Sequence, residues 1–152
     1  MLKDIVVNLT PGRPQDPAAD YAVSLASRFD AHLTGVAFAL EPAIPASAMG
    51  GIAGGVIDNA IAEAERQAKD AIARFDAAAK KQGVLSEKQL VTALVADAVS
   101  RFAQIARRYD LSVVSQPDPD SNTANDLFME SVLFGSGRPV VIVPYIQREP
   151  VK

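Results

Sequence analysis

LSVVSQPDPDSNTANDLFMESVLFGSGRPVVIV, residues 111–143, is the stretch whose reading decides the fold. A short apolar strand (111–115) runs into an acidic, proline-containing loop and then a helix. A glycine turn and a second apolar strand follow, made of Pro139, Val140, Val141, Ile142 and Val143. A crossover of helix length between two strands joins them in parallel. In a parallel sheet, the loop after a strand and the helix start beyond it are where ligands are held.

Upstream, the same alternation repeats. Residues 5–9 (IVVNL) are rich in β-branched side chains and read as a buried strand. Thr10-Pro11-Gly12 signals a turn, and Asp16-Pro17 reads as an N-cap followed by proline at the first helical position. Tyr21/Ala22, Leu25/Ala26 and Phe29 then recur at helical spacing, which predicts a helix over about 17–29. Residues 33–39 form a second strand. The segment 41–55 (EPAIPASAMGGIAGG) is too long and too rich in Gly, Ala and Pro for an ordinary connection, and reads as a mobile flap.

A long helix follows, with Ile57, Ile61, Ala64, Ala68, Ile72, Phe75 and Ala79 on one face and Gly83 as its stop. Residues 88–94 make a third strand. Asp97 is placed to cap a third helix whose Val99, Phe102, Ala106 and Tyr109 face inward. Thr123 to Asp126 resembles a capping box that opens the fourth helix, and Gly135 ends that helix. The order βαβαβαβαβ predicts an α/β fold with a five-stranded, mostly parallel sheet and helices on both faces. One domain is expected over residues 1–145. Residues 146–152 read as a polar tail, equally suited to a terminus or to a linker to a second copy.

Composition narrows the functional classes. With 152 residues, 49% hydrophobic and 22% charged, the chain is globular and long enough for a proper core. A formal net charge of −3 offers no attraction to nucleic acid or to anionic membranes. Lys80-Lys81 and Arg107-Arg108 fall at predicted helix ends, where they complement the helix dipole. With no cysteine, disulfides, thiolate metal sites and Cys nucleophiles are excluded. MLKDIVVNL enters a strand without the features of a signal peptide, and no run approaches the ~18 apolar residues of a membrane span. A cytoplasmic location is the expectation.

The candidate motifs are weak. Gly135-Ser-Gly137-Arg138 looks like a phosphate loop, but it follows a helix and precedes a strand, which fits a C-cap and tight turn. Gly50-Gly51 and Gly54-Gly55 miss the dinucleotide spacing, and Asp58, Glu63 and Glu65 beyond them discourage anions. Asp118-x-Asp120-x-Asn122 begins like a calcium loop, but Thr123 stands at its glycine position and Met129 at its final glutamate. His32 is the only histidine, so no His-based metal cluster can form, and the serines lack a nucleophile elbow. Neither a catalytic constellation nor a metal site can be assembled.

With these elements in place, the chain resembles the universal stress protein family over nearly its whole length. The likeness is carried by KDIVVNLTPG, AVSLASRF, the Ala-rich second helix, ADAVSRFAQIARRYDLSVVS and ESVLFGSGRPVVIVP. The resemblance implies the adenine nucleotide alpha hydrolase-like sheet order 3-2-1-4-5, with a ligand crevice between strands one and four beside Thr10 and Ser115. ATP-binding members carry G-x2-G-x9-G-[ST] there. In this chain Ser115 and Asp118 stand at the first two glycines, and Glu130-Ser131 stands at the final pair with the spacing lengthened. Thr10 matches the acidic residue that ends strand one in many members. Side chains at glycine positions block close backbone approach. Asp118, Asp120, Asp126 and Glu130 crowd negative charge with no Lys or Arg in the loop.

Tight ATP binding in the family's manner is therefore not expected, although backbone donors remain open to a differently placed ATP or AMP. If nucleotide binding is retained, Thr10, Ser115 and Ser131 are its candidate residues. The leading expectation is a non-enzymatic stress-response domain that needs no cofactor. It would act as a homodimer, paired through the Pro139–Val143 strand, and through contacts with another protein. A nucleotide switch or slow ATPase is the alternative, and a sensor of a neutral or cationic small molecule under the 41–55 segment a third reading.

Overall fold

A computed structural model describes residues 1–48, 50–51, 54–120 and 124–151. The elements are β1 (Asp4–Asn8), α1 (Pro17–Phe29), β2 (His32–Glu41), a 3-10 turn at Ala46–Ala48, α2 (Gly54–Lys81), β3 (Ser86–Leu94), α3 (Val95–Ala106), β4 (Leu111–Ser115), α4 (Asn125–Gly135) and β5 (Val140–Val143). All strand pairs are parallel, and the order is β3-β2-β1-β4-β5, as the family resemblance implies.

The central strand explains the two-sided core. β1 is buried on both faces, as a strand covered by helices on each side must be. Ile5 and Val7 pack with α1 and α2 around Val23, Ala68 and Phe75, while Val6 points the other way, into the α3–α4 side. There Phe38, Phe102 and Phe128 form a three-ring cluster with centroids 5.1–6.3 Å apart, tilted or edge-to-face. Gly35 on β2 lets α2 lie close: a Cβ there would meet the Phe75 ring at 2.7 Å.

Local chemistry sets the helix ends. Asp16 caps α1, its Oδ1 accepting the Ala19 N–H at 3.2 Å, with Pro17 opening the helix and Asp30 closing it in the left-handed region (φ 52°). Other expectations need correction. α3 starts directly after β3 at Val95, so Leu94 holds the cap position without a side-chain bond and Asp97 lies inside the first turn. Asp97 serves there through the helix dipole instead. Tyr109 lies beyond α3, and its hydroxyl donates to Thr34 Oγ1 at 3.1 Å. Ala124 holds the α4 cap position without a side-chain bond, and Thr123 lies outside the described residues. Phe29, although in phase with the apolar face of α1, is half exposed at the helix end.

β2 extends to Glu41 and α2 already begins at Gly54, which shortens the connection between them; Met49, Ile52 and Ala53 of the expected flap lie outside the described residues. β5 starts one residue after Pro139, which has no N–H to give the ladder; the Pro139 carbonyl accepts the Ser112 N–H at 3.1 Å. At the opposite end of the sheet, Asp110 ties the chain's start to β4. Its carboxylate accepts the Lys3 and Asp4 N–H groups at 2.8 and 3.1 Å, while its own N–H donates to the Asp4 carbonyl at 2.9 Å. After β5 the chain returns over α1, where the Val151 N–H donates to Ser24 Oγ at 2.8 Å and Val151 packs against the α1–α2 side of the core.

Candidate functional site

The strand order reverses between β1 and β4, and a parallel sheet opens a crevice at such a point beyond its C-terminal strand ends. A cavity of about 210 Å³ lies there. β1 and the turn after it contribute Asn8, Leu9, Thr10 and Pro11; β2 contributes Phe38 and Leu40; α2 and the start of α4 close the sides.

Thr10 and Ser115, expected together from the sequence, are together. Their hydroxyl oxygens stand 3.4 Å apart, and Thr10 Oγ1 also donates to Asn125 Oδ1 at 3.5 Å. All three residues are buried. Ser131 is not part of this group: it sits on the side of α4 that meets α3, and its hydroxyl donates to the Val99 carbonyl at 3.0 Å.

The turn after β1 is held by Asp16. Its Oδ2 accepts the Thr10 N–H at 2.7 Å while Oδ1 caps α1, so one carboxylate closes the loop that forms the crevice lip. Burial pushes the Asp16 pKa up to about 6, against the two backbone N–H groups, which favour the anion.

The loop after β4 is acidic as read, but a cation reaches it from outside. Arg13, three residues after Thr10, donates to Asp118 Oδ2 at 2.7 Å across 105 positions of sequence. Asp118 Oδ1 also accepts the Asp120 N–H at 3.0 Å, a turn built by the Asp side chain itself. That backbone N–H, with the Arg13 guanidinium, holds the Asp118 carboxyl below the usual carboxylate range. The second half of the calcium-like motif, Asn122 and Thr123, lies outside the described residues; among the described residues no three His, Asp or Glu side chains cluster to hold a metal.

The remaining candidates have structural roles. Gly135 ends α4, its carbonyl accepting from Arg107 Nε and Nη2 at 3.1 and 2.9 Å, and Gly137 turns the chain into β5 at φ 64°. His32 opens β2 at the end of the sheet away from the crevice, with Nδ1 3.5 Å from Asp4 and Nε2 3.9 Å from Glu87. Sequence reasoning missed Asn8, Gln67 and Asn125 as cavity residues and Arg13 as the partner of the acidic loop. The signal for Asn8 was present, because a lone amide in the buried run IVVNL needs a reason.

Known structures share this architecture. No protein-family model matches the chain, and no curated protein does. Solved structures do. The universal stress protein UspA from Lactobacillus plantarum is 18% identical, with 93% of this chain and 97% of that one covered at a TM-score of 0.69. A universal stress protein family member from Burkholderia pseudomallei is 20% identical, with 94% and 96% covered at 0.65. A universal stress protein in complex with cAMP is 22% identical, with 93% and 97% covered at 0.59. The chain therefore has the fold of the universal stress proteins, over nearly its full length.

Proposed function

We propose that this chain is a non-enzymatic stress-response domain that works through pairing with a second copy and contact with another protein, without using ATP. The observation that carries this reading is the Arg13–Asp118 pair. The loop where a phosphate chain would lie presents carboxylates, and the one cation that reaches it among the described residues is already engaged by Asp118. A triphosphate there would have to displace a carboxylate that backbone and guanidinium donors both favour.

The dimer half of the proposal rests on β5. It is an edge strand, parallel to β4, and its outer edge carries free backbone groups beside partly exposed Val140, Val141 and Ile142. Tyr145 and Ile146, just beyond it, are also exposed. Edge pairing between two copies would satisfy the backbone groups and cover those side chains in a self-complementary contact.

A nucleotide switch is the second reading. It is favoured by the open cavity at the strand reversal, and by a protein of this fold having been solved with cAMP. Calorimetry with ATP and magnesium, together with chromatography of the supernatant from denatured fresh protein, separates the two. Absence of nucleotide and of binding heat is expected; released nucleotide or a micromolar Kd would replace the first reading with the second.

A further inference from the structure

We infer that the loop from Thr10 to Asp16 is a proton-operated latch on the crevice lip, shut while Asp16 carries its proton and released as that proton leaves.

One side chain closes the loop. Asp16 Oδ2 accepts the Thr10 N–H at 2.7 Å across it, and Oδ1 accepts the Ala19 N–H at 3.2 Å at the start of α1. Between these points Gly12 turns the chain at φ 76°, and Arg13 reaches out to Asp118 at 2.7 Å. Thr10 and Pro11 also line the crevice cavity. Releasing Asp16 therefore frees part of the crevice wall and loosens the base from which Arg13 holds Asp118. The loop can move without the core: none of residues 10–16 belongs to either apolar core cluster, and Gly12, Pro14 and Gln15 are exposed.

Charge decides when it moves. Asp16 is 9% exposed, and two charged groups face it. Asp20, one turn further along α1, disfavours its anion. Arg74 of α2 favours the anion, but from across a hollow of about 110 Å³ and without a salt bridge among the described residues. A neutral acid keeps its carbonyl oxygen as an acceptor, so the protonated loop stays shut. Ionisation puts a charge in a dry site. Burial there outweighs the two N–H groups and Arg74, and the acid is pushed up to about 6. Opening returns the carboxylate to water and to its ordinary value of about 3.9.

The shut loop thus holds the proton more tightly than the open one. Its advantage is complete below about pH 3.9 and is lost as pH rises through about 6. These two values make opening on the order of fiftyfold more favourable at pH 7 than at pH 4.

Amide hydrogen exchange in the full-length protein reads the latch. Corrected for the intrinsic pH dependence of exchange, the Thr10 and Ala19 amides should lose on the order of fiftyfold protection between pH 4 and pH 7. Low urea should not alter that loss, because a short loop exposes little surface, whereas exchange at Val7 and Val113 in the sheet centre should accelerate with it. Asp16→Asn stands in for the neutral acid and should hold Thr10 at the parent's acid protection throughout. Arg74→Gln, at an exposed position, removes the cation that favours the anion and should deepen the loss at pH 7. Protection in the parent that stays level or rises from pH 4 to pH 7 would overturn the inference. So would Thr10 and Ala19 exchanging at the rate and urea dependence of Val7, which means that Asp16 reaches water only by global unfolding. A pH response at Thr10 that survives in Asp16→Asn would assign the proton elsewhere and overturn it too.

Discussion

At Asp16 two demands meet on one carboxylate. It must cap α1 and hold the Thr10 end of the crevice lip, and both tasks favour the anion, but the site is dry enough that burial wins and the pKa rises to about 6. An acid whose folded pKa lies above its unfolded value of about 3.9 lends stability below that lower value. The contribution is lost as pH rises through the folded pKa. The gap between the two values corresponds to roughly 3 kcal/mol. Asp16→Asn is neutral throughout, so its stability relative to the parent should improve by an amount of that order between pH 4 and pH 7. Urea midpoints measured across this range check it; a difference that stays constant with pH would show that the two N–H groups keep the carboxylate ionised. Asp76 and Asp118 slope the other way, held below the usual range by donors at their oxygens, and cancel from the comparison because both proteins carry them.

Among the elements, β2 and α2 meet closely, and their contact depends on Gly35. The Cβ of an alanine there would stand 2.7 Å from the Phe75 ring, a side chain buried too tightly to swing aside. Gly35→Ala should therefore destabilise the protein by about 1–3 kcal/mol, as overpacking does. The double variant Gly35→Ala with Phe75→Leu should recover part of that loss, and guanidinium unfolding of both would show it. This contact also marks what could be read beforehand. Strand and helix identity were legible because they are written in nearby residues: β-branched runs for β1 and β4, the Asp16-Pro17 start of α1, Gly135 at the end of α4. The cap of α3 was not legible because β3 runs straight into the helix, leaving no loop for Asp97 to close. Half of the crevice was legible too, since Thr10 and Ser115 end strands that the topology makes neighbours. Arg13 could not be matched to Asp118 in the same way: the pair depends on how two loops lean together, 105 residues apart, and no local pattern encodes that. Ser131 failed to join the site for a related reason, because motif spacing fixes the place of a residue along α4 but not the face it turns toward α3.

For the whole molecule, pairing of two copies makes stability depend on concentration. Anything that binds only the folded chain raises its melting temperature by mass action, and a second copy is such a ligand. If β5 edges pair, Tm should climb by a few degrees per hundredfold rise in protein concentration. Ile142→Lys places a charge on the strand's exposed face and should flatten that dependence while shifting sedimentation to the monomer. A Tm independent of concentration in the parent protein, with a monomer in the centrifuge, would remove the dimer from the proposal. The Asp110 tie reaches further, into how the chain is made. β1 lies at the middle of the sheet, yet the strand that completes it, and the carboxylate that fastens Lys3 and Asp4, come roughly a hundred residues later. At about 5–20 residues per second on the ribosome, the nascent chain spends on the order of 5–20 s with the core of its sheet laid down and one side of its first strand bare. The most protected strand of the finished protein is thus the most vulnerable one during its synthesis, and the interval belongs to whatever chaperone meets the chain at the exit tunnel.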